Sequence, residues 1–350
     1  MAPKLPRIID RILVIRMSSI GDILLITPVL RQLRHRFADA RIDVLTAAEY
    51  ADLLSANPHV DTVLTWDRNA EGNERRRLRA HIRDTRYDVV LDLHRSLRSI
   101  RLLAGLPRLP VLKFRKHRLA RFFLVHFKWN LYPKRSGRVR SVPERYLLAG
   151  APLGLDPDDR ALELHLPESA ERAARERWEG FERDGYRVVI APGARHFTKR
   201  WPAERYARLV SDLYRTMGWR CLLVGGPEEV DVAEAIRVAV PDAGPVNLAG
   251  SLSLTETMAL IRHAAVFVSN DSGLMHAAAA ARIPQVALFG STVRTLGFAP
   301  VNPNAVVVEV EGLSCRPCSH IGRDACPKKH FRCMRDIPAE QVLAAVERAL

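Results

Sequence analysis

Four short loops in this chain carry residue types that can handle an anion or a proton. In residues 18–22, SSIGD, small residues let the backbone come close to a ligand, and Asp22 stands in the first turn of the helix that follows. A carboxylate there complements the helix dipole, and at a cleft-facing strand end it can also take a proton from an attacking hydroxyl. In residues 191–202, APGARHFTKRWP, Lys199 and Arg200 precede a helix opened by Pro202. Such cations suit a diphosphate on which charge grows as a leaving group departs. A solvated basic turn is the plainer reading, against which Pro192, Gly193 and Trp201 indicate a shaped loop. Residues 225–229, GGPEE, have the make-up of a nucleotide-binding turn whose acid accepts hydrogen bonds from ribose hydroxyls. The full G-x-G-x-x-G fingerprint is absent, which argues against a nicotinamide or flavin cofactor. In residues 269–276, SNDSGLMH, Asp271 and Ser272 are capping types, Gly273 admits a close ligand and His276 lies in a polar cluster.

Two other stretches stand out. Residues 113–140 hold ten Lys and Arg and no Asp or Glu, interleaved with Leu119, Phe122, Phe123, Phe127, Trp129, Leu131 and Tyr132. That mixture suits an interfacial segment whose aromatics enter lipid headgroups while its cations meet phosphates. A solvated helix face with its aromatics in the core is the alternative. Cys315, Cys318, Cys326 and Cys333 follow a C-x2-C-x7-C-x6-C pattern with His320 and His330 between them. Four thiolates can form a tetrahedral zinc or iron site, the alternative being reduced thiols in a loop. Cys221 falls in an apolar run and reads as core.

The loops need elements that aim them alike. The apolar, β-branched runs at residues 11–16, 41–46, 62–65 and 88–93 read as buried parallel strands, and residues 23–37 as an amphipathic helix. After a charged connecting helix at 168–184 the pattern restarts, with strands at 187–190, 221–224, 265–268 and 285–289 and helices at 202–217 and from about 228. The alternation predicts an α/β fold of two Rossmann-like, doubly wound halves divided near residues 155–185, with ligands beyond the carboxyl ends of the strands and in the cleft between halves. A chain of 350 residues, 47% hydrophobic and 27% charged, has ample material for such cores. Its net charge of +15 favours an anionic partner and says nothing of fold. No apolar run reaches the roughly 20 residues of a bilayer-spanning helix, and residues 1–11 lack the apolar core of a signal peptide, so a cytoplasmic protein is expected. Five cysteines are too few for a disulfide scaffold.

Taken in order, RMSSIGDILLITPVL, PGARHFTKRWP, LLVGGPEE, NLAGSLSLTE and SNDSGLMHAAAA resemble the lipopolysaccharide heptosyltransferases over nearly the whole chain. NDSGLMH and KRWP look closer to the enzyme that adds the second heptose. The resemblance implies a GT-B fold, with an acceptor-binding domain at residues 1–165 and a nucleotide-sugar domain at 166–350 that includes the Cys-rich segment 315–333 and a final helix. It implies inverting transfer of heptose from ADP-heptose to the acidic, lipid-linked inner core, on the inner face of the cytoplasmic membrane. Asp22 matches the catalytic base and Lys199 the lysine that contacts the donor diphosphate. Donor binding is expected at Ser18, Ser19, Gly21, Arg200, Glu228 (or Glu229, if the alignment shifts), Asp271, Ser272, Gly273, Leu274, Met275 and His276. His94, Arg95 and Arg98, after the run DVVLDL, are expected to meet the acidic acceptor. One departure is a shorter stretch between Gly193 and Lys199, which leaves Lys199 and Trp201 in phase. No Asp-x-Asp pair sits at a strand end, and DPDD at 156–159 reads as a linker turn, so no metal is expected to be required for catalysis. A related transferase using another nucleotide sugar or a protein acceptor is the alternative. A basic nucleic-acid-binding protein is the competing class, and the chain lacks its common motifs.

Overall fold

Ile12, Leu13, Val14 and Ile15 are all fully buried, so this run has no polar face and can satisfy its backbone only as a central strand covered on both sides. The computed structural model describes residues 4–67, 69, 71–106 and 109–350, and builds two compact units around such runs. The first unit takes in Met1–Lys116 and Arg140–Pro167. Its elements begin β1 (Arg11–Ile15), α1 (Ile20–Leu24), α2 (Thr27–Arg36), β2 (Arg41–Ala47), α3 (Asp52–Ser55) and β3 (Thr62–Trp66). They continue with α4 (Glu71–Thr85), β4 (Val89–Asp92), α5 (Leu97–Leu103) and β5 (Val111–Lys113). The five strands form one sheet in the order β3-β2-β1-β4-β5, parallel throughout. Leu13, Ile15, Leu45, Leu64, Trp66 and Val90 pack one of its faces with Leu78 and Ile82 of α4 and Leu102 of α5.

The basic stretch that follows belongs to the second unit, His117–Val139 and Glu168–Leu350. It forms α6 (Arg118–Phe127) and the hairpin β6 (Lys134–Arg135) and β7 (Arg138–Val139). The chain returns to the first unit as α7 (Val142–Ala149) and then forms α8 (Glu168–Arg183), which buries Ala170, Ala174 and Trp178 at four-residue spacing. Next come β8 (Tyr186–Ala191), α9 (Ala203–Met217), β9 (Arg220–Leu223), α10 (Val230–Ala239) and β10 (Val246–Asn247). The unit ends with α11 (Leu254–His263), β11 (Val266–Asn270), α12 (Gly273–Ala281), β12 (Gln285–Phe289), β13 (Ala305–Glu309), α13 (Arg332–Arg335) and α14 (Ala339–Ala349). Its six-stranded sheet runs β10-β9-β8-β11-β12-β13, again parallel.

Three expectations need adjusting. The single helix expected at 23–37 is two helices, α1 and α2, because Pro28 sits in the first turn of α2 and has no N–H to continue the ladder. The helix expected from about residue 228 starts as a 3-10 turn at Pro227–Glu229 and becomes α10 at Val230. The edge strands β5, β10 and β13 were not anticipated, being short or only partly buried. Among the described residues no helix is long and apolar enough to cross a membrane.

Candidate active site

Both sheets reverse their strand order beside their first strand, and that is where a doubly wound sheet opens a ligand crevice at its carboxyl edge. In the first unit the flanking loops follow β1 and β4. The loop after β1 presents Asp22, whose side chain is 17% exposed. Asp22 Oδ1 lies 2.7 Å from Arg16 Nη2 and accepts a 3.0 Å hydrogen bond from the Tyr146 hydroxyl of α7. Oδ2 accepts longer bonds, 3.2 Å from the Ser19 N–H and 3.3 Å from its hydroxyl, so Ser19 and Asp22 cap α1 reciprocally. Burial alone pushes the Asp22 carboxyl up. The adjacent Arg16 charge and the bonds from Ser19 and Tyr146 outweigh it and hold the carboxyl below the ordinary carboxylate range. Arg16 is itself fixed by donating to Ser18 O and Leu93 O, both at 2.8 Å. The result is an ionised carboxylate with one oxygen fully engaged and the other weakly engaged. Gly21 is buried on α1, and Ser18 and Ser19 border the carboxylate.

The loop after β4 brings His94, Arg95 and Arg98 to the same edge. Asp92 organises it by accepting the N–H groups of His94 and Arg95 at 3.1 and 2.7 Å and the Ser99 hydroxyl at 2.9 Å. Burial, with the Arg16 and Lys116 charges adding to it, lowers the His94 imidazole to about 3, so the ring is neutral at physiological pH. Its Nδ1 is buried without a hydrogen-bond partner among the described residues. Arg95 donates to Phe114 O at 3.1 Å, whereas Arg98 is exposed.

In the second unit the corresponding loops follow β8 and β11, and they bring together two expected residues. Lys199 Nζ lies 2.7 Å from Asp271 Oδ2, which also accepts the Thr292 hydroxyl at 2.6 Å. One ammonium donor faces Asp271 and the other two remain for a ligand. Asn270, the last residue of β11, joins the loops: its Oδ1 accepts the Trp201 N–H at 3.0 Å and its Nδ2 donates to Pro192 O and Gly193 O at 2.7 and 3.1 Å. Beside them Ser272 caps the nine-residue α12, and its buried hydroxyl has no partner among the described residues. An unpaired hydroxyl beside open helix N–H groups is an anion-binding arrangement.

The remaining donor-loop residues divide. Gly273 and Leu274 are half-buried at the start of α12 and His276 is buried one turn on. Met275, expected at the donor site, instead packs fully buried against Ala287 and Phe289, because its direction on α12 faces the sheet. The Arg200 guanidinium is engaged with its own loop, Nε donating to Ala194 O at 2.6 Å. Glu228 is exposed, and it is Glu229 that folds back to accept the Gly226 N–H at 2.6 Å. A Cβ on Gly193 would come within 2.0 Å of Glu229 Cγ, so a side chain there would displace the acid. Arg16, Tyr146, Asn270 and Thr292 were not among the expected site residues. Arg16 and Asn270 carried a signal, a polar side chain at the end of a buried strand, whereas Tyr146 lies 124 residues from Asp22.

The four late cysteines are free thiols. They neighbour one another closely enough for burial and the other thiols to raise Cys318, and burial raises Cys333 to about 12. They do not close into a ligand cluster: among the described residues the only such group is His59, Glu163 and His165. The cysteine loop does brace the donor loops. Arg323 accepts the Thr198 N–H at 3.0 Å, and Arg316 donates to Gly290 O and Thr292 O at 2.6 and 2.9 Å.

Solved structures share this architecture. That of Escherichia coli ADP-heptose LPS heptosyltransferase II matches with a TM-score of 0.73 and 26% identity over 97% of this chain and 98% of that one. Fold and loops together define a GT-B glycosyltransferase. Among curated relatives, Escherichia coli lipopolysaccharide heptosyltransferase 3 is 28% identical over 94% of this chain and 96% of its own length. Lipooligosaccharide heptosyltransferase 2 of Haemophilus influenzae is 31% identical over 80% of this chain and 83% of its own. Residues 75–329 match glycosyltransferase family 9 (heptosyltransferase), and the chain belongs to that family.

Proposed function

We propose that this enzyme transfers heptose from ADP-heptose to the inner core of lipopolysaccharide with inversion. The carrying observation is that the first unit presents an ionised, half-free Asp22 carboxylate at its switch point and the second unit presents Lys199, Asp271 and the open α12 amino end at its own. The first unit is the acceptor side. Asp22 Oδ2 takes the proton of the attacking hydroxyl, while neutral His94 and the Arg98 and Lys116 charges receive the acidic acceptor. A carboxylate of lowered basicity suffices, because the hydroxyl becomes strongly acidic only as its oxygen bonds to an oxocarbenium-like carbon. The second unit is the donor side. Lys199, the Ser272 hydroxyl and the first N–H groups of α12 take up charge on the departing diphosphate. Glu229, better placed than Glu228, serves the ribose.

Two further roles go with this reading. The face of α6 sits on an anionic membrane surface: Ala120 and Leu124 pack inward with Tyr132 and Leu296, leaving Phe122, Phe127 and Trp129 exposed among cations. On this reading the enzyme works at the inner face of the cytoplasmic membrane. The four thiols take a structural zinc or iron by drawing together, a site whose ligands are soft and neighbouring. The deciding experiment incubates the protein with ADP-heptose and a defined lipid-linked core and weighs the product. A gain of one heptosyl unit with release of ADP is expected; unchanged acceptor mass with intact donor contradicts the proposal.

A further inference from the structure

Residues 161–166 alternate strictly. Leu162, Leu164 and Leu166 are buried, which turns Glu163 and His165 to the opposite side. There they meet His59, from the loop between α3 and β3. Glu163 Oε2 lies 2.9 Å from His59 Nε2 and 3.0 Å from His165 Nε2, and the three ligand atoms fall within 4.8 Å of one another. We propose that His59, Glu163 and His165 form a binding site for a divalent transition ion of the zinc type, in the first unit and apart from the glycosyl-transfer residues.

The geometry is close to what such an ion needs. Bonds of about 2.0–2.1 Å in a tetrahedron set its ligand atoms about 3.3 Å apart. The imidazole nitrogens therefore need to move back from the carboxylate by only a few tenths of an ångström, and, lying within 4.8 Å of each other, to close toward the same spacing. Two imidazoles aimed at one carboxylate oxygen must each supply a proton there, and an ion replaces both protons at once. His35 of α2 packs edge-on against His59 at 6.0 Å between ring centroids.

The carboxylate is also pre-set. Arg31 donates to Glu163 Oε1 at 3.0 Å and is balanced by Asp159 at 2.7 Å, and the Glu163 N–H donates to the Thr27 hydroxyl at 3.0 Å. Such outer contacts orient a ligating carboxylate. A bound ion would fasten the His59 loop to a segment 104 residues later, stabilising the folded chain by linkage. The site does not depend on the substrate reading.

Full-length protein stripped with chelator is titrated with Co2+ and Zn2+. Cobalt is expected to give nitrogen- and oxygen-ligated d–d absorption from this site, separate from any thiolate charge transfer that the four cysteines contribute, and zinc to raise the melting temperature. His59→Gln and His165→Gln should each weaken cobalt binding by at least about tenfold, as should Glu163→Gln. A Cys315→Ser/Cys318→Ser protein should keep this nitrogen and oxygen spectrum, which separates the site from the thiols. Absence of a d–d signal, a spectrum that vanishes with the cysteines, or cobalt affinity unchanged from wild type in all three Gln variants overturns the proposal. His165, which is 31% exposed, provides a variant expected to fold even if His59→Gln does not.

Discussion

As the proposed base, Asp22 owes its charge to its neighbours. Burial acts to protonate it, and Arg16 at 2.7 Å from Oδ1 opposes that effect, while Oδ2 accepts only the longer bonds from Ser19. The sign follows directly. A carboxyl held below its ordinary range stays ionised as the pH falls past about 4, where an unperturbed carboxyl would protonate. Its contribution to stability is therefore present above the unfolded value and lost only as pH falls through the lower folded one. The kcat/KM profile should show no Asp22 limb above about pH 4. Arg16→Ala removes the largest effect opposing burial and leaves only the Ser19 and Tyr146 bonds against it, so an acid limb should move up into the measurable range, and Arg16→Lys should return it part of the way. An identical profile in wild type and Arg16→Ala would show that Arg16 does not set the charge on Asp22.

The elements explain why these side chains meet. Within each unit, parallel strands deliver every loop that follows a strand to one edge, and the order reversals beside β1 and β8 open the gaps there. This much is legible in sequence, because runs such as QVALF at β12 have no polar face and follow at crossover spacing. Asp22, Lys199 and Asp271 are legible for the same reason, each lying just past such a run. The Tyr146 contact is not, since only the folded chain brings α7 to the β1 loop. Nor were the edge strands, whose half-exposed residues lack a continuous apolar pattern. Asn270 tests the donor-side framework. Asn270→Ala strands two buried carbonyls and the Trp201 N–H. It should cost about 2–4 kcal/mol in denaturant unfolding and weaken ADP binding with it. Unchanged stability and unchanged ADP affinity would show that Asn270 does not hold the two loops.

For the molecule as a whole, charge is concentrated where the membrane reading needs it. Ten of the Lys and Arg residues fall within residues 113–140, and the exposed Leu119, Phe122, Phe127 and Trp129 lie among them. Vesicles containing anionic lipid should bind the protein, neutral vesicles should not, and salt should weaken the binding. Phe127→Ser with Trp129→Ser should reduce that binding while sparing transfer to a soluble, delipidated acceptor. Equal binding to neutral and anionic vesicles would leave the basic segment without this role. Transfer itself turns on proton removal. The most direct measurement compares wild type with Asp22→Asn in single turnover on ADP-heptose and lipid-linked core, alongside ADP affinity. The variant should bind ADP as wild type does and lose about 10²–10⁴-fold in transfer rate; a variant that turns over at the wild-type rate contradicts Asp22 as the base.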